Sequence, residues 1–399
     1  GLDLKHFCIQ NQKNFPKYYV CLRKMLKPVF IIVLLAVAMI GVMVPSIFAE
    51  ISITDDSTGG DCTAIGTWDS ASKTCTLTSD ISDNIVINSD GIILDGNGHT
   101  LDIPLTTGYH SGISATDHSN ITIKNFNIES TNWGGQTSGI LLTSSTDNFL
   151  NKNNIIESNN ILGFEMARGI WFDVQYSNGS DSEYPSTNFI VKNNVIEVYE
   201  IGILARVHGG DEIFGNTITG QLNTLTTGIS WFQGYSEQSS PSLIHDNIIS
   251  NVHIAFALCR VTEVYQNEVT NVHSITTNCG SSGSNLFDVY HNNFFAIGSG
   301  FMNPDGYSNF NGNYWEQYDS PTDTYSNIGQ GCNDTNYDNI CDDPYGMSSS
   351  EDDSPWNIPN GWQTTITSSE SIPNQEATSS SGTAVSFSSI TAQKNGNSV

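Results

Sequence analysis

One short line keeps returning in this chain. It reads "NKNNII" around Asn154, "VKNNVI" around Asn194, "IFGNTI" around Asn216, "IHDNII" around Asn247, "VYQNEV" around Asn267 and "VYHNNF" around Asn292. The asparagines follow one another at steps of 40, 22, 31, 20 and 25 residues. The shorter steps suit one turn of a β-solenoid, and the longer ones suit turns that carry an inserted loop. A second line precedes most of these: "SGILL" from Ser138, "RGIWF" from Arg168, "IGILA" from Ile201 and "TGISW" from Thr227, while "HIAFA" from His253 keeps the Ile and loses the Gly. The runs are short, β-branched and alternating, which is the pattern of strands. None is long enough to bury a core alone, so each must stack on the next. No long 3.6-residue period appears, which excludes a helical solenoid.

Three physical expectations follow. Asn154, Asn194, Asn216, Asn247 and Asn267 should stand in vertical register as an amide ladder, each side chain bonding its neighbour and the turn backbone. The Gly before each Ile should sit at a sharp bend that a Cβ would crowd. Alternation should point Ile170, Phe172 and Val174 inward, with Ile203, Ala205 and Val207, and with Ile229 and Trp231.

These residues carry a resemblance. The stretch from about 76 to 300 resembles a right-handed parallel β-helix of the pectate-lyase-like superfamily. "IVINSDGIILDGNGHTLD" from Ile85 is similar to the first coils of such a helix. "NGNYWEQY" and "GCNDTNYDNICDDPY" are similar to the C-terminal end of NosD-type β-helices and related archaeal surface proteins. The resemblance implies an all-β chain: a single-stranded right-handed parallel β-helix with N- and C-terminal caps. It implies little about activity, since this fold carries lyases, hydrolases, epimerases and passive surface proteins alike.

The outward residues are where chemistry can stand. Asp173, Arg206 and Phe232 should form one row on adjacent coils, with Trp171 and His208 beside it. Trp and Phe offer flat apolar faces, Arg can pair with a sugar carboxylate, and Asp or His can accept a proton. The five residues are the candidate substrate-binding set for an extracellular polysaccharide or cell-envelope glycan. The bland alternative is a surface ion pair of Asp173 with Arg206, and Trp171 packed under a loop. No catalytic residue can be named. Polyuronate lyases of the superfamily use a Lys or Arg base beside acidic calcium ligands, and its polygalacturonase-like members carry an N-x-D line, an Asp-Asp pair and a G-H-G line. The coils hold no G-H-G, and the Asp-Asp pairs stand at 55–56, 342–343 and 352–353, outside the repeats. Binding without cleavage is therefore the first reading. A polysaccharide lyase or glycoside hydrolase on the outward face is the alternative. Copper delivery, which the NosD likeness suggests, would need a cluster of soft ligands. After residue 49 only Met166, Met302 and Met347 remain, and the histidines are scattered.

A solenoid needs covered ends, because its last coil exposes a strand edge and an open core. The aromatic-rich segment 301–362 reads as the C-terminal cap. Within it Asp334, Asn336, Asp338 and Asp342 take positions 1, 3, 5 and 9 of an EF-hand-like loop, with the Ile340 carbonyl at position 7. Position 6 is Asn339 and position 12 is Tyr345 rather than Glu. The ligand set is hard oxygen, so the expected cofactor is one structural Ca2+; the alternative is a metal-free acidic turn. Six cysteines follow residue 49. Proximity in sequence favours the pairs Cys62–Cys75, Cys259–Cys279 and Cys332–Cys341 among the 15 connectivities that six cysteines allow. Asn120, Asn178 and Asn333 each open an N-x-[ST] sequon and are candidate glycosylation sites.

The ends and the charge place the chain in a cell. Residues 1–24 read as an upstream extension. Segment 25–49 reads as a signal peptide: Arg23, Lys24 and Lys27 precede an apolar run from Val29 to Val44, and small Ala49 precedes Glu50. Beyond it come an N-terminal cap (50–78), the β-helix repeats (79–300), the C-terminal cap (301–362) and a Ser/Thr-rich disordered tail (363–399). From residue 50 onward eight basic side chains face forty acidic ones, a balance of −32. Such a surface repels phosphate backbones and excludes nucleic acid as a partner. The expected location is secreted or on the cell surface, with membrane contact only through an uncleaved signal segment.

Overall fold

The computed structural model describes residues 50–103, 110–130, 137–144, 152–163, 167–174, 187–207, 209–221, 226–233, 241–259, 262–278, 287–297, 308–316, 340–342, 345–346, 351–356, 359–363, 393–394 and 397–398. All of them belong to the compact unit Glu50–Val399. The strands form three long sheets, here A, B and C, of nine, thirteen and nine strands. The chain visits them in fixed order. Arg168–Val174 lies in A, Ile190–Lys192 in B and Val195–Val198 in C, and Ile201–Val207 then returns to A. Each strand pairs in parallel with the equivalent strand one coil away. This is a parallel β-helix, and one column of buried residues runs through it from Ile51 to Cys341.

The alternation expected of sheet A holds wherever side chains are described. Ile170, Ile203 and Ile229 stand in one inward column and Phe172, Ala205 and Trp231 in the next, all with no exposure. Burying side chains of this size is worth about 1.5–3 kcal/mol each, so the core is the sum of many identical small layers. The glycine column is crowded as expected, but Gly139, Gly169, Gly202 and Gly228 lie inside strands rather than at sharp bends. A Cβ at Gly202 would stand 2.6 Å from the Gly228 carbonyl oxygen and 2.6 Å from Ile218 Cγ2. The constraint is close approach of consecutive backbones. In the last member of the column Ala255 replaces Gly and Phe256, not Ile254, takes the place of the inward Ile.

The amide ladder exists, with one correction. Asn194 N–H donates to Asn216 Oδ1 at 3.0 Å, Asn216 to Asn247 at 3.0 Å and Asn247 to Asn267 at 3.0 Å. Each Nδ2 donates to the same oxygen. Asn154 is not a rung. The rung above Asn194 is Asn159, whose N–H donates to Asn194 Oδ1 at 2.9 Å. Asn154 sits at a different corner, before the sheet B strand Ile155–Glu157, where its Oδ1 accepts from Ile121 N–H at 2.8 Å. The words "KNNII" and "KNNVI" look alike, yet the first enters sheet B and the second enters sheet C. The ladder also runs further than expected, through Asn292 and Asn313 to the buried carboxylate of Asp352.

The corner between B and C is short because each rung follows a residue with positive φ. Ser158, Asn193, Asp246, Gln266 and His291 have φ between 53° and 57°, and Gly215 and Gly312 stand at 66°. At the N-terminal end, a four-residue helical turn Cys62–Ile65 and an antiparallel hairpin, Gly66–Asp69 with Thr74–Leu77, precede the coils. Cys62 and Cys75 are joined by a disulfide. Toward the other end, Ser308–Asn311 and Tyr314–Trp315 carry sheets B and C past residue 300, and Asp352 pairs with Phe310. In the Ser/Thr-rich tail, Gln393–Lys394 pairs with Asn397–Ser398 in a separate two-stranded sheet.

Candidate functional site

Sheet A holds the outward row that alternation predicts. Thr116, Thr143, Asp173, Arg206, Phe232 and Cys259 are successive partners on adjacent strands. Trp171 lies in the neighbouring column, next to Leu204 and Ser230. His208 and the side chain of Phe232 lie outside the described residues. The described part of the set is thus Trp171, Asp173 and Arg206, and the fold brings these three together.

Their environments differ in a way sequence could not show. Asp173 is 8% exposed although it points away from the core. Arg206 Nη1 stands 3.7 Å from Asp173 Oδ1, an ion pair too long for a hydrogen bond, and the Arg206 side chain is 55% exposed. Asp173 Oδ1 is buried and receives no hydrogen bond. The indole N–H of Trp171 is likewise buried and donates to nothing. Most buried polar groups in proteins are paired, so two unpaired atoms on one strand leave hydrogen-bonding capacity unused. The Asp173–Arg206 pair of the bland reading is therefore present, and the row beside it is not saturated.

Arg168 is the residue that sequence reasoning missed. Strict alternation puts it inside with Ile170. The alternation breaks at Gly169, which is buried together with Ile170 while Arg168 is half-buried, and the Arg168 guanidinium lies 4.2 Å from the Trp171 ring centroid. Its Nε and Nη1 are buried without a hydrogen-bond partner. One face of Trp171 is thus taken by a cation–π contact. The glycine in "RGIW" was the available signal, since a side-chain-free residue packed inside before Ile170 frees the preceding residue from the strand's period.

Sheet B carries a second outward column. Asp95, Lys124, Glu157 and Lys192 alternate in charge, with Lys124 3.4 Å from Asp95 and Lys192 3.0 Å from Glu157. The same column continues as Phe214, His245, Tyr265 and Tyr290. Their rings lie 5.2, 4.7 and 5.2 Å apart and within 8° of parallel. The faces are spent on one another and the edges point outward, so this rib stiffens the solenoid rather than offering a platform. His245 is clamped further, Nε2 to Glu212 at 3.0 Å and Nδ1 to Asp246 at 2.8 Å. Burial and the Glu263 carboxylate, which accepts its hydroxyl at 2.9 Å, push the Tyr290 phenol up.

Of the calcium loop, Asp334, Asn336 and Asp338 lie outside the described residues. Ile340 bridges to Trp356, Cys341 N–H donates to the Pro355 carbonyl at 2.8 Å, and Asp342 is exposed. That flank is therefore fixed, with Asp342 at the surface. Cys341 is buried and disulfide-bonded, whereas Cys279 and Cys332 lie outside the described residues. Asn120 is exposed at a corner, with φ 60°, while Asn178 and Asn333 lie outside the described residues. Among the described residues no group of three His, Cys, Asp or Glu is placed to hold a metal ion.

No family model, no curated protein and no solved structure matches this chain. The reading of function rests on the geometry alone.

Proposed function

We propose that this chain is an extracytoplasmic β-helix that binds or organises extracellular glycans through the outward row of sheet A, and does not cleave them. The observation that carries the reading is the exposed guanidinium of Arg206 beside Asp173, whose buried Oδ1 accepts no hydrogen bond, with the buried and unpaired indole N–H of Trp171 in the neighbouring column. Such a constellation suits a ligand that brings both hydroxyls and an apolar ring face. Glycoside hydrolysis canonically uses two carboxyl groups about 5–9.5 Å apart. The described row carries one, already committed to a cation, which supports binding over cleavage. The disulfide Cys62–Cys75 supports an oxidising compartment. No helix among the described residues is long and apolar enough to cross a membrane.

The test is a polysaccharide panel presented to residues 50–399, with bound ligand and released sugar both measured. Arg206→Ala and Trp171→Ala are expected to weaken binding while melting like the parent. Release of unsaturated or reducing sugar would move the protein to the lyase or hydrolase class. Unchanged binding by both variants would reduce the row to plain surface.

A further inference from the structure

A second place on the molecule is shaped for a ligand, away from the sheet A row. It lies at the corner between sheets B and C in the first coils. The strand Ile93–Asp95 and the strand Thr100–Asp102 are separated by Gly96 to His99. The next two corners are shorter, Asn125 with Phe126 and then Ser158 with Asn159. The longer corner turns at Asn97 and Gly98, with φ 52° and 81°. A Cβ built on Gly98 would meet nothing within 4 Å. The mismatch in corner length accompanies an open depression of about 380 Å³, lined by Asp95, Asn97, Asn125, Ser158 and Asn160 around Gly98. That volume lies within the size range of small-molecule sites.

The hydrogen bonds of the lining run in one sense. Asn97 Nδ2 donates to the Leu77 carbonyl at 3.4 Å and Asn125 Nδ2 to Asp95 Oδ1 at 3.0 Å. Asn160 Nδ2 donates to Asn127 Oδ1 at 3.4 Å, and Asn127 Nδ2 to the Gly98 carbonyl at 2.7 Å. Each amide in the lining spends one of its two N–H donors on the protein. The side-chain oxygens of Asn97, Asn125, Asn160 and Ser158 accept nothing from the described residues. The Asp95 charge is answered by Lys124 at 3.4 Å. The depression therefore offers neutral acceptors and donors without net negative charge, next to a cation that disfavours an ammonium ligand. A ligand rich in neutral hydroxyls, which both donate and accept, is the complement. Adjacent coils repeat at about 4.8 Å, close to the advance of one ring in an extended β-1,4-linked hexose chain.

We infer that this corner is a subsite for a neutral β-1,4-linked oligosaccharide lying along the solenoid axis. The inference stands apart from the sheet A reading, on other residues and other chemistry. The test uses residues 50–399 with cellohexaose, mannohexaose and a hexagalacturonate, read by calorimetry and by saturation-transfer NMR. The double variant Asn125→Gly/Ser158→Gly removes two acceptors at positions of positive φ (58° and 57°), where glycine is at ease. Expected are saturable binding of a neutral hexaose, about tenfold weakening in the double variant, an unchanged melting curve, and no effect of Arg206→Ala. The inference is overturned if neither neutral hexaose saturates the protein by about 10 mM, or if the double variant binds like the parent. It is also overturned if the hexagalacturonate binds the same corner as well as the neutral chains. Loss of hexaose binding in Arg206→Ala alone would assign the sugar to sheet A instead. Arg206-dependent binding in the polysaccharide panel, without hexaose binding, would sink this subsite and leave that reading standing.

Discussion

Two buried aspartates show how little residue type says without its partners. Asp211 is 1% exposed, and burial pushes its carboxyl up to about 7. Its Oδ1 accepts from Thr187 Oγ1 at 2.7 Å and Phe189 N–H at 2.8 Å, and its Oδ2 from Ser242 Oγ at 3.2 Å. A carboxyl raised in the fold stabilises it fully below the unfolded value near 4, and that stability is lost as pH rises through about 7. Asp211→Asn keeps the Oδ1 acceptor, and the new amide can donate to a reoriented Ser242 hydroxyl. Urea midpoints measured from about pH 4 to about pH 8 should fall more steeply in the parent than in Asp211→Asn, with the variant the more stable at the alkaline end by on the order of a few kcal/mol. Parallel curves would show that Asp211 does not titrate there. The fold already contains the replacement, since Asn154 fills the same corner two coils away.

Asp352 should respond to the same substitution with the opposite sign. Its Oδ1 accepts from Gly312 and Ser354 N–H, and its Oδ2 from Asn313 N–H, Asn313 Nδ2 and Trp315 Nε1. Burial pushes this carboxyl up, against the pull of those donors. An amide at 352 turns a donor toward at least two donors whichever way it is set. Asp352→Asn should cost about 2–3 kcal/mol, read as a lower urea midpoint at neutral pH, and an unchanged midpoint would refute the role. Nothing in "DEIF" or "EDDSP" separates these two aspartates. Their difference lies in neighbours that arrive from other coils.

At the scale of strands and corners the sequence was far more legible. A close-packed column repeats its demand in every coil, so the Gly-Ile line and the inward Ile and Phe positions could be read from one sheet. The demand is also testable. Gly202→Ala drives a methyl into a carbonyl oxygen and Ile218 and should cost about 1–3 kcal/mol, measured as a melting shift. A neutral result would mean the backbones can part. The aromatic rib stands in "IFGN", "IHDN", "VYQN" and "VYHN", two residues before each rung, where the period of the Asn alone does not reveal it. Asn154 differs for the reverse reason: the words match, but the strand that follows belongs to another sheet. At the C-terminal end, the proposed calcium loop should reveal itself through stability. At about 100 times its dissociation constant a ligand adds about 2.7 kcal/mol, so chelator should lower the melting temperature of the parent and leave Asp334→Ala/Asp338→Ala nearly unmoved. Identical parent curves with calcium and with chelator would leave only an acidic turn.

Over the whole molecule, charge is the term that no local contact balances. From residue 50 on the balance is −32, and three of the few lysines, Lys73, Lys124 and Lys192, already have carboxylate partners. Self-repulsion of this kind is long-ranged and screened by salt, the Debye length falling from about 30 Å at 0.01 M to about 3 Å at 1 M. Melting temperature should therefore climb with sodium chloride across that range, and a flat or falling profile would contradict it. Composition alone could supply this prediction. What composition could not supply is where the unsaturated polar atoms stand, because that depends on a break in alternation at Gly169 and on a corner two residues longer than its neighbours.

The ladder has a direction. Each rung's oxygen accepts from the coil before it, and its backbone N–H donates to the coil after it, while its Nδ2 bonds both ways. A ribosome delivers the coils in that same order, at about 5–20 residues per second. Every newly emerged coil therefore carries one dangling amide until its successor arrives, and the debt passes down the chain without being cancelled. Only Asp352, which accepts and has nothing to pass on, closes it. A nascent chain that has built all its coils but not yet reached that residue is folded everywhere except at its growing end.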